Sequence, residues 1–451
     1  MRRTGGPNGR SGGPRVALAW VALTVFVLSA HAAGTRSWRF DDLAAFLDGD
    51  LDGVAVGPRG DATLAPRVED VWGPEPGVLW SVVADGRAVY AGLSDPARVV
   101  RIEENSATEW YRGTSDTWVT AVAAGDGRRG VVAGVSPTGT VITLRDGAVV
   151  AEDTLGVSYV WALAYDRDGA LWAGTGGPGR ILRRDRDGTW ATVHETGDDP
   201  IRSLLALPGG GMVAGTGRRG RVVRIDDRGV FTLLDADEDE IVGLALDAGG
   251  SLLALSARSG ASRGPARPAT EPVERRDDAR APDRDEERPT SSGNGTTMTV
   301  AQSGGTASVT VSAPAGPSGG TLYRLAKDGD VDIVWESATD PPYALGSAPG
   351  GRPWVALGGG GRVVEIDDSG EAGLLFRVAS EHVTSFAVGA DGAVLAGASG
   401  DARVVRIDPG PVRTGSFTSA PHDAGWIADW GRVHWDASLT EGQVVVEART
   451  G

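Results

Sequence analysis

Residues Ser158 to Gly197 read SYVWALAYDRDGALWAGTGGPGRILRRDRDGTWATVHETG. Three short apolar runs (YVWALAY, ALWAGT, RILRR) and a weaker fourth (TWATV) are separated by turn signals. These signals are Asp168-Gly169, the Gly-Pro-Gly loop at Gly177–Gly179, and Asp187-Gly188. Asp-Gly between apolar runs favours a hairpin, because the glycine accepts positive φ without steric cost. The stretch therefore predicts a four-stranded antiparallel meander. One such sheet cannot bury both faces alone and needs copies of itself on either side.

The chain supplies the copies. An apolar residue followed by Ala, and usually Gly, occurs at Tyr90-Ala91-Gly92, Val132-Ala133-Gly134, Trp172-Ala173-Gly174 and Val213-Ala214-Gly215. It returns at Leu253-Ala254, Val355-Ala356 and Leu395-Ala396-Gly397. The alanines are 42, 40, 41, 40, 102 and 40 residues apart. A third-strand signature follows each one, as RVVRI from Arg98, TVITL from Thr140, RILRR from Arg180 and RVVRI from Arg221. It continues as TLYRL from Thr321, RVVEI from Arg362 and RVVRI from Arg403. Seven copies in register predict an all-β, seven-bladed β-propeller over residues 52–408.

The long step marks an insertion at 258–319, between the second and third strands of the fifth repeat. It is rich in Pro, Gly, Ser and mixed charge, so it is expected to be disordered, with TTMTVAQ and ASVTVSA able to pair as a hairpin. The seventh repeat has only three strands of its own. An N-terminal strand is expected to complete it and to hide the open edges, the candidates being Gly53–Gly57 and Ala62–Ala65. Residues 34–51 form a lead-in with a short helix, capped by Asp41 or Asp42 and ended at Gly49, with Leu43, Phe46 and Leu47 on one face.

Both termini carry further signals. Residues 1–33 read as a signal peptide. Arg2, Arg3, Arg10 and Arg15 precede the apolar run Val16–Ala30, and Ala30-His31-Ala32 is a small-x-small cleavage site. This predicts export to the periplasm, extracellular space or cell surface, with membrane contact only through that signal. From 409 to 451, the strands RVHW and QVVVEAR look like the start of a truncated β-sandwich domain, which needs on the order of 100 residues when complete.

Composition narrows the function. The net charge of −16 over 451 residues argues against a general nucleic-acid binder, and the absence of Cys excludes disulfides and Cys-ligated metals. His194, His382, His422 and His434 stand at no ligand spacing, so no metal or cofactor is expected. Asp166-Arg167-Asp168-Gly169 and Asp185-Arg186-Asp187-Gly188 are half of a calcium loop and read as turns. The glycine runs 174–179 and 358–361 lack the Lys-Ser or Lys-Thr of a phosphate loop. Gly-x-Ser-x-Gly occurs only in the signal and the insertion, without the strand–turn–helix setting a nucleophile needs.

The motif VWAL…DGALWAGT…GRIL at Val160–Leu182, with its six relatives, resembles the non-enzymatic bacterial β-propellers grouped with WD-repeat-like and two-component-regulator-type propellers. The resemblance covers roughly residues 52–408 and is specific for fold. It implies an exported protein whose propeller is a binding or scaffold surface.

The candidate ligand surface is the set of residues just before the innermost strands: Trp118, Tyr159, Pro200, Glu240, Tyr343 and His382. Aromatic, acidic and imidazole groups at one rim of a pore could hold a protein or peptide, a glycan or a small aromatic ligand, or Trp118, Tyr159 and Tyr343 could serve as packing plugs between adjacent blades. A second set, Arg98, Arg180, Arg221, Arg362 and Arg403, opens the third strands. These arginines either pair with turn carboxylates or, as a ring, hold an anionic polymer; Arg180 and Arg221 are the ligand candidates among them. No catalytic residue is assigned. The alternative is a propeller lyase or lactonase with carboxylates and His converging at the central channel. The oligomeric state is not legible.

Overall fold

The computed structural model describes residues 37–449 apart from 105, 126–128, 186, 237–239, 259–318, 348–350, 424, 426–430 and 440. The signal peptide and nearly all of the insertion lie outside the described residues. The chain divides into two units, and the larger described one is Asp41–Ser419.

That unit is a seven-bladed β-propeller. The innermost strands of blades 1 to 7 are Leu79–Asp85, Trp118–Ala124, Tyr159–Tyr165, Ile201–Ala206, Glu240–Leu246, Pro342–Ser347 and His382–Val388. Each contacts the next, and the seventh contacts the first, so the ring closes. Blades 1 to 5 are four-stranded meanders. In blade 3 the strands Tyr159–Tyr165, Leu171–Gly176, Gly179–Arg184 and Trp190–Gly197 pair in sequence order.

The blade 3 turn is fixed by the first aspartate of DRDG, not by the Asp168-Gly169 pair alone. The Asp166 carboxylate accepts the Ala170 N–H and the Trp172 indole N–H, both at 2.8 Å. Gly169 takes φ +77° to close the turn. Asp247 accepts the Ser251 N–H in the corresponding turn of blade 5, and Asp367 accepts the Glu371 N–H in the turn between the third and fourth strands of blade 6. These carboxylates are turn acceptors.

The core lies between blades. Ala173, Leu171 and Leu182 of blade 3 pack with Val132, Val141 and Val160, whereas Trp172 and Ile181 pack on Ile201, Met212 and Val223 of blade 4. Period-two alternation thus feeds both faces of one sheet. Each fully buried Ile or Leu contributes about 1.5–3 kcal/mol. The same packing explains the Ala-Gly signature. A Cβ on Gly92, Gly134, Gly174 or Gly215 would lie 2.6 Å from Val119, Val160, Ile201 or Ile241, the β-branched residue that opens the next blade's inner core. Gly397 of blade 7 meets Leu79 of blade 1 in the same way. The seam is also polar: Ser399 Oγ accepts the Leu79 N–H at 2.9 Å and Thr384 Oγ1 donates to the Leu79 carbonyl at 2.6 Å.

An N-terminal strand does complete blade 7, but not the expected one. Pro66–Gly77 pairs with Gly400–Pro411, for example Val68 with Ile407. The candidates Gly53–Gly57 and Ala62–Ala65 instead form the strands Val54–Val56 and Ala62–Leu64, which extend the outer edge of blade 6 to a six-stranded sheet. The helix Leu43–Leu47, capped by Asp42, sets Phe46 against Val56 and Leu374 at that edge. Leu252–Arg258 and Gly319–Leu325 pair as the second and third strands of blade 5, and the segment between them lies outside the described residues.

In the second unit, described from 37–40 and 420–449, His422 stacks on Trp38 at 5.1 Å and lies 5.8 Å from Phe40. No strand pairing occurs among its described residues. Val433, Trp435 and Val445 are exposed there.

Candidate functional site

Every inner strand carries a register shift near its start. It skips Trp80, Thr120, Trp161, Arg202, Val242, Tyr343 and Thr384 in blades 1 to 7. A bulge adds one residue to one strand of a pair and re-aims its side chain. Thr120 and Thr384 use the bulge to bond carbonyls of the next blade, Val160 and Leu79. The larger residues build the site.

Trp80 and Trp161 meet at 6.2 Å although blade 2 separates their blades, so their rings lie on the inside of the ring of strands. Around them runs a stack. Trp118 and Tyr159 are parallel within 7° at 6.3 Å, and Tyr159 and Trp161 within 15° at 5.0 Å. The Arg202 guanidinium lies over the Trp161 ring, 4.0 Å from its centroid. Arg202 Nε is paired with Glu240 of blade 5. The order Trp118, Tyr159, Trp161, Arg202, Glu240 therefore crosses blades 2 to 5 at the end of the channel where the inner strands begin. Cation–π contact at a partly desolvated site contributes about 0.5–2 kcal/mol. The pair holds Arg202 and Glu240 in place and leaves the cluster with no net charge.

A second group sits at blades 6 and 7. Tyr343 stacks on His382 at 4.5 Å. The Gly359 N–H donates to His382 Nδ1 at 3.3 Å, which leaves the proton of the neutral ring on Nε2, 3.6 Å from Glu381. Burial raises the Tyr343 pKa above its ordinary value, and the Glu381 charge adds to the rise.

The rim residues are thus sorted. Trp118, Tyr159 and Glu240 join one stack and Tyr343 and His382 another. Pro200 precedes the blade 4 strand and packs against Gly217. Tyr343 is not equivalent to the other five, because it occupies the bulge position and Pro341 takes the rim place. Trp80, Trp161 and Arg202, two positions beyond the rim residues, are the ones sequence reading missed. Strict alternation points them with their rim neighbours, and Trp161 does stack on Tyr159, so the spacing of two from the rim is the signal that finds them.

The five arginines are each ion-paired. Arg98 binds Glu75 at 3.0 Å, Arg180 binds Glu195 at 3.0 Å, Arg221 binds Asp235 at 3.2 Å, Arg362 binds Asp340 at 2.5 Å and Arg403 binds Asp70 at 3.1 Å. Arg180 and Arg221 lie outside both aromatic groups, so the pairing reading accounts for them. No cluster of three or more His, Asp or Glu groups of metal-binding geometry occurs among the described residues. No described helix is long and apolar enough to cross a membrane.

The stretch from the outer strand of blade 2 to the second strand of blade 3 also has a counterpart elsewhere. Residues 154–177 match the two component regulator propeller family model. That repeat agrees with the architecture: the chain is a seven-bladed β-propeller. No curated protein matches it. Among solved structures it is similar to a streptogramin B lyase, with 12% identity and TM-score 0.54, over 76% of this chain and 98% of that one. It is also similar to virginiamycin B lyase from Staphylococcus aureus, at 11% and 0.54 over 75% and 97%, and to the WD40 propeller domain of Doa1, at 12% and 0.50 over 76% and 96%. At these identities the likeness shows the fold alone.

Proposed function

We propose that this propeller is a non-catalytic binding and scaffold module of an exported protein, with its ligand surface at the channel end where the inner strands begin. The observation that carries the reading is the stack from Trp118 to Glu240. It sets aromatic rings, a guanidinium and a carboxylate side by side on the inner wall, across blades 2 to 5. Such a wall offers apolar surface and directed hydrogen bonds to a protein or a glycan.

The test is binding of the purified chain to arrays of glycans and peptides, followed by titration of whatever is captured. Trp161→Ala should weaken the captured ligand about 30-fold, the effect of a hot-spot residue of about 2 kcal/mol, while Trp354→Phe at a blade seam leaves it unchanged. Equal affinity for both variants and the parent chain would remove the channel end as the ligand surface.

The second reading, a lyase or lactonase, is favoured only by the contact of Tyr343, His382 and Glu381 at the same end of the channel. It predicts ring opening of a cyclic ester that His382→Ala abolishes with little change in ligand affinity.

A further inference from the structure

We propose that the cavity between the helix Leu43–Leu47 and the outer strands of blades 5 and 6 is a binding site for a neutral, single-ring apolar molecule. The site is separate from the channel end. The cavity has a volume of about 160 Å³. One wall is Trp335, Leu357 and Val364, which belong to the core between blades 5 and 6. The other is Leu43, Leu47 and Leu374, which belong to the core around Phe46 and Val56. The two cores share no residue, so the cavity lies where they fail to meet. The helix has five residues and is only about 7.5 Å long, so it covers this gap without filling it.

Volume and lining set the class of ligand. An apolar cavity of about 150 Å³ stays dry and admits benzene, whereas drug-sized ligands occupy about 300 Å³ or more. The space therefore suits one ring. The remaining lining residues are polar, and their charges are already paired. Arg362 Nη2 donates to Asp340 and to the Gly358 carbonyl, and Arg362 Nε donates to the Gly359 carbonyl at 3.2 Å. Glu336 pairs with Arg258 at 2.9 Å. Ser337 Oγ accepts the Thr339 and Asp340 N–H groups. A charged ligand would lose its hydration here without gaining a free counter-charge. A neutral ring buries its surface against six apolar side chains. It touches both cores at once, so its binding ties the helix to the blades.

The experiment titrates the full chain with fluorobenzene, para-fluorobenzoate, para-fluorobenzylamine and fluoronaphthalene. Fluorine NMR of each probe and calorimetry are the readouts. Fluorobenzene should bind one per chain, about 10-fold more tightly than either charged analogue or the two-ring probe, and should raise the thermal midpoint. Ala372 lines the cavity and packs on the blade 5–6 core, so Ala372→Leu adds three carbons to the space the ring occupies. That variant should lower fluorobenzene affinity about 10-fold or more. Its own thermal midpoint should equal or exceed the parent's, because a filled void adds contacts. Ala372→Val adds two carbons and should give an intermediate loss, which decides the matter if the leucine disturbs the blade. Trp161→Ala at the channel end should leave fluorobenzene binding unchanged. The inference is overturned if fluorobenzene does not bind up to its solubility, or if a charged or two-ring probe binds as well. It is also overturned if the folded Ala372 variants bind fluorobenzene like the parent. Fluorobenzene binding that is lost in Trp161→Ala would put the ring at the channel end, and this inference would fail while the channel surface stands.

Discussion

Gly139→Ala should lower the thermal midpoint by roughly 10 °C or leave the chain unfolded. Gly139 lies in the turn between the second and third strands of blade 2, with φ +62°. A Cβ there would fall far inside van der Waals contact with the Val157 carbonyl oxygen, and would also press on the Val157 side chain. Val157 belongs to the loop that leads into blade 3, so neither backbone can yield without disturbing a blade seam. The left-handed conformation costs alanine about 1–2 kcal/mol and the overpacking about 1–3 kcal/mol more. At about 2–4 °C per kcal/mol for a domain of this order of size, the sum is a shift of about 10 °C, read by calorimetry. Gly156→Ala is the control. Its φ is +65° but nothing lies within 4 Å of the new Cβ, so it should show only the conformational part. Equal shifts for the two variants would mean that blades 2 and 3 do not approach as described.

Asp70→Ala should destabilise the fold by about 2–3 kcal/mol, measured by denaturant unfolding. Asp70 sits on the closing strand Pro66–Gly77 and holds Arg403 of blade 7 through both carboxylate oxygens, at 3.1 and 3.3 Å. The Arg403 side chain is only 10% exposed and its Nε has no hydrogen-bond partner, so the variant strands a buried cation. Breaking a buried pair costs about 3–5 kcal/mol; the 46% exposure of Asp70 admits water and lowers that figure. Replacing both partners, as Asp70→Ala with Arg403→Met, should recover much of the loss. No loss in the single variant would mean that another strand closes the ring.

The blades were legible because their signature is a packing constraint. The Ala-Gly pair recurs wherever the next blade's Val or Ile presses on the strand, so spacing in the chain records spacing round the ring. The closing strand was not legible, because RVEDVWGPEPG carries Pro74, Pro76 and two glycines and breaks alternation. An outermost strand pairs on one side only, and proline is tolerated at such an edge. The better-patterned Gly53–Gly57 was the natural candidate, yet Val56 finds its place against Leu374 and Phe46 at blade 6.

The site was half legible for a related reason. Trp118, Tyr159 and Glu240 stand at the strand starts and were visible as a rim. Trp161 reads as one more apolar residue of VWAL, and Arg202 as a charge beside SLLA. Both stand two positions beyond a rim residue, so alternation puts them on the rim's side of the strand, a placing that the apolar reading of VWAL and SLLA hides. The bulge displaced Tyr343, which a count of repeats places on the rim.

The most direct test of the channel end as the ligand surface is fluorine NMR of the chain labelled with 5-fluorotryptophan, each resonance assigned by substitution. Titrated with the peptide or glycan captured from the arrays, the resonances of Trp118, Trp161 and Trp80 should move together. Those of Trp172 and Trp354, buried in blade seams, should stay in place. A bound ligand that moves the seam resonances and leaves Trp118, Trp161 and Trp80 unmoved would contradict the account.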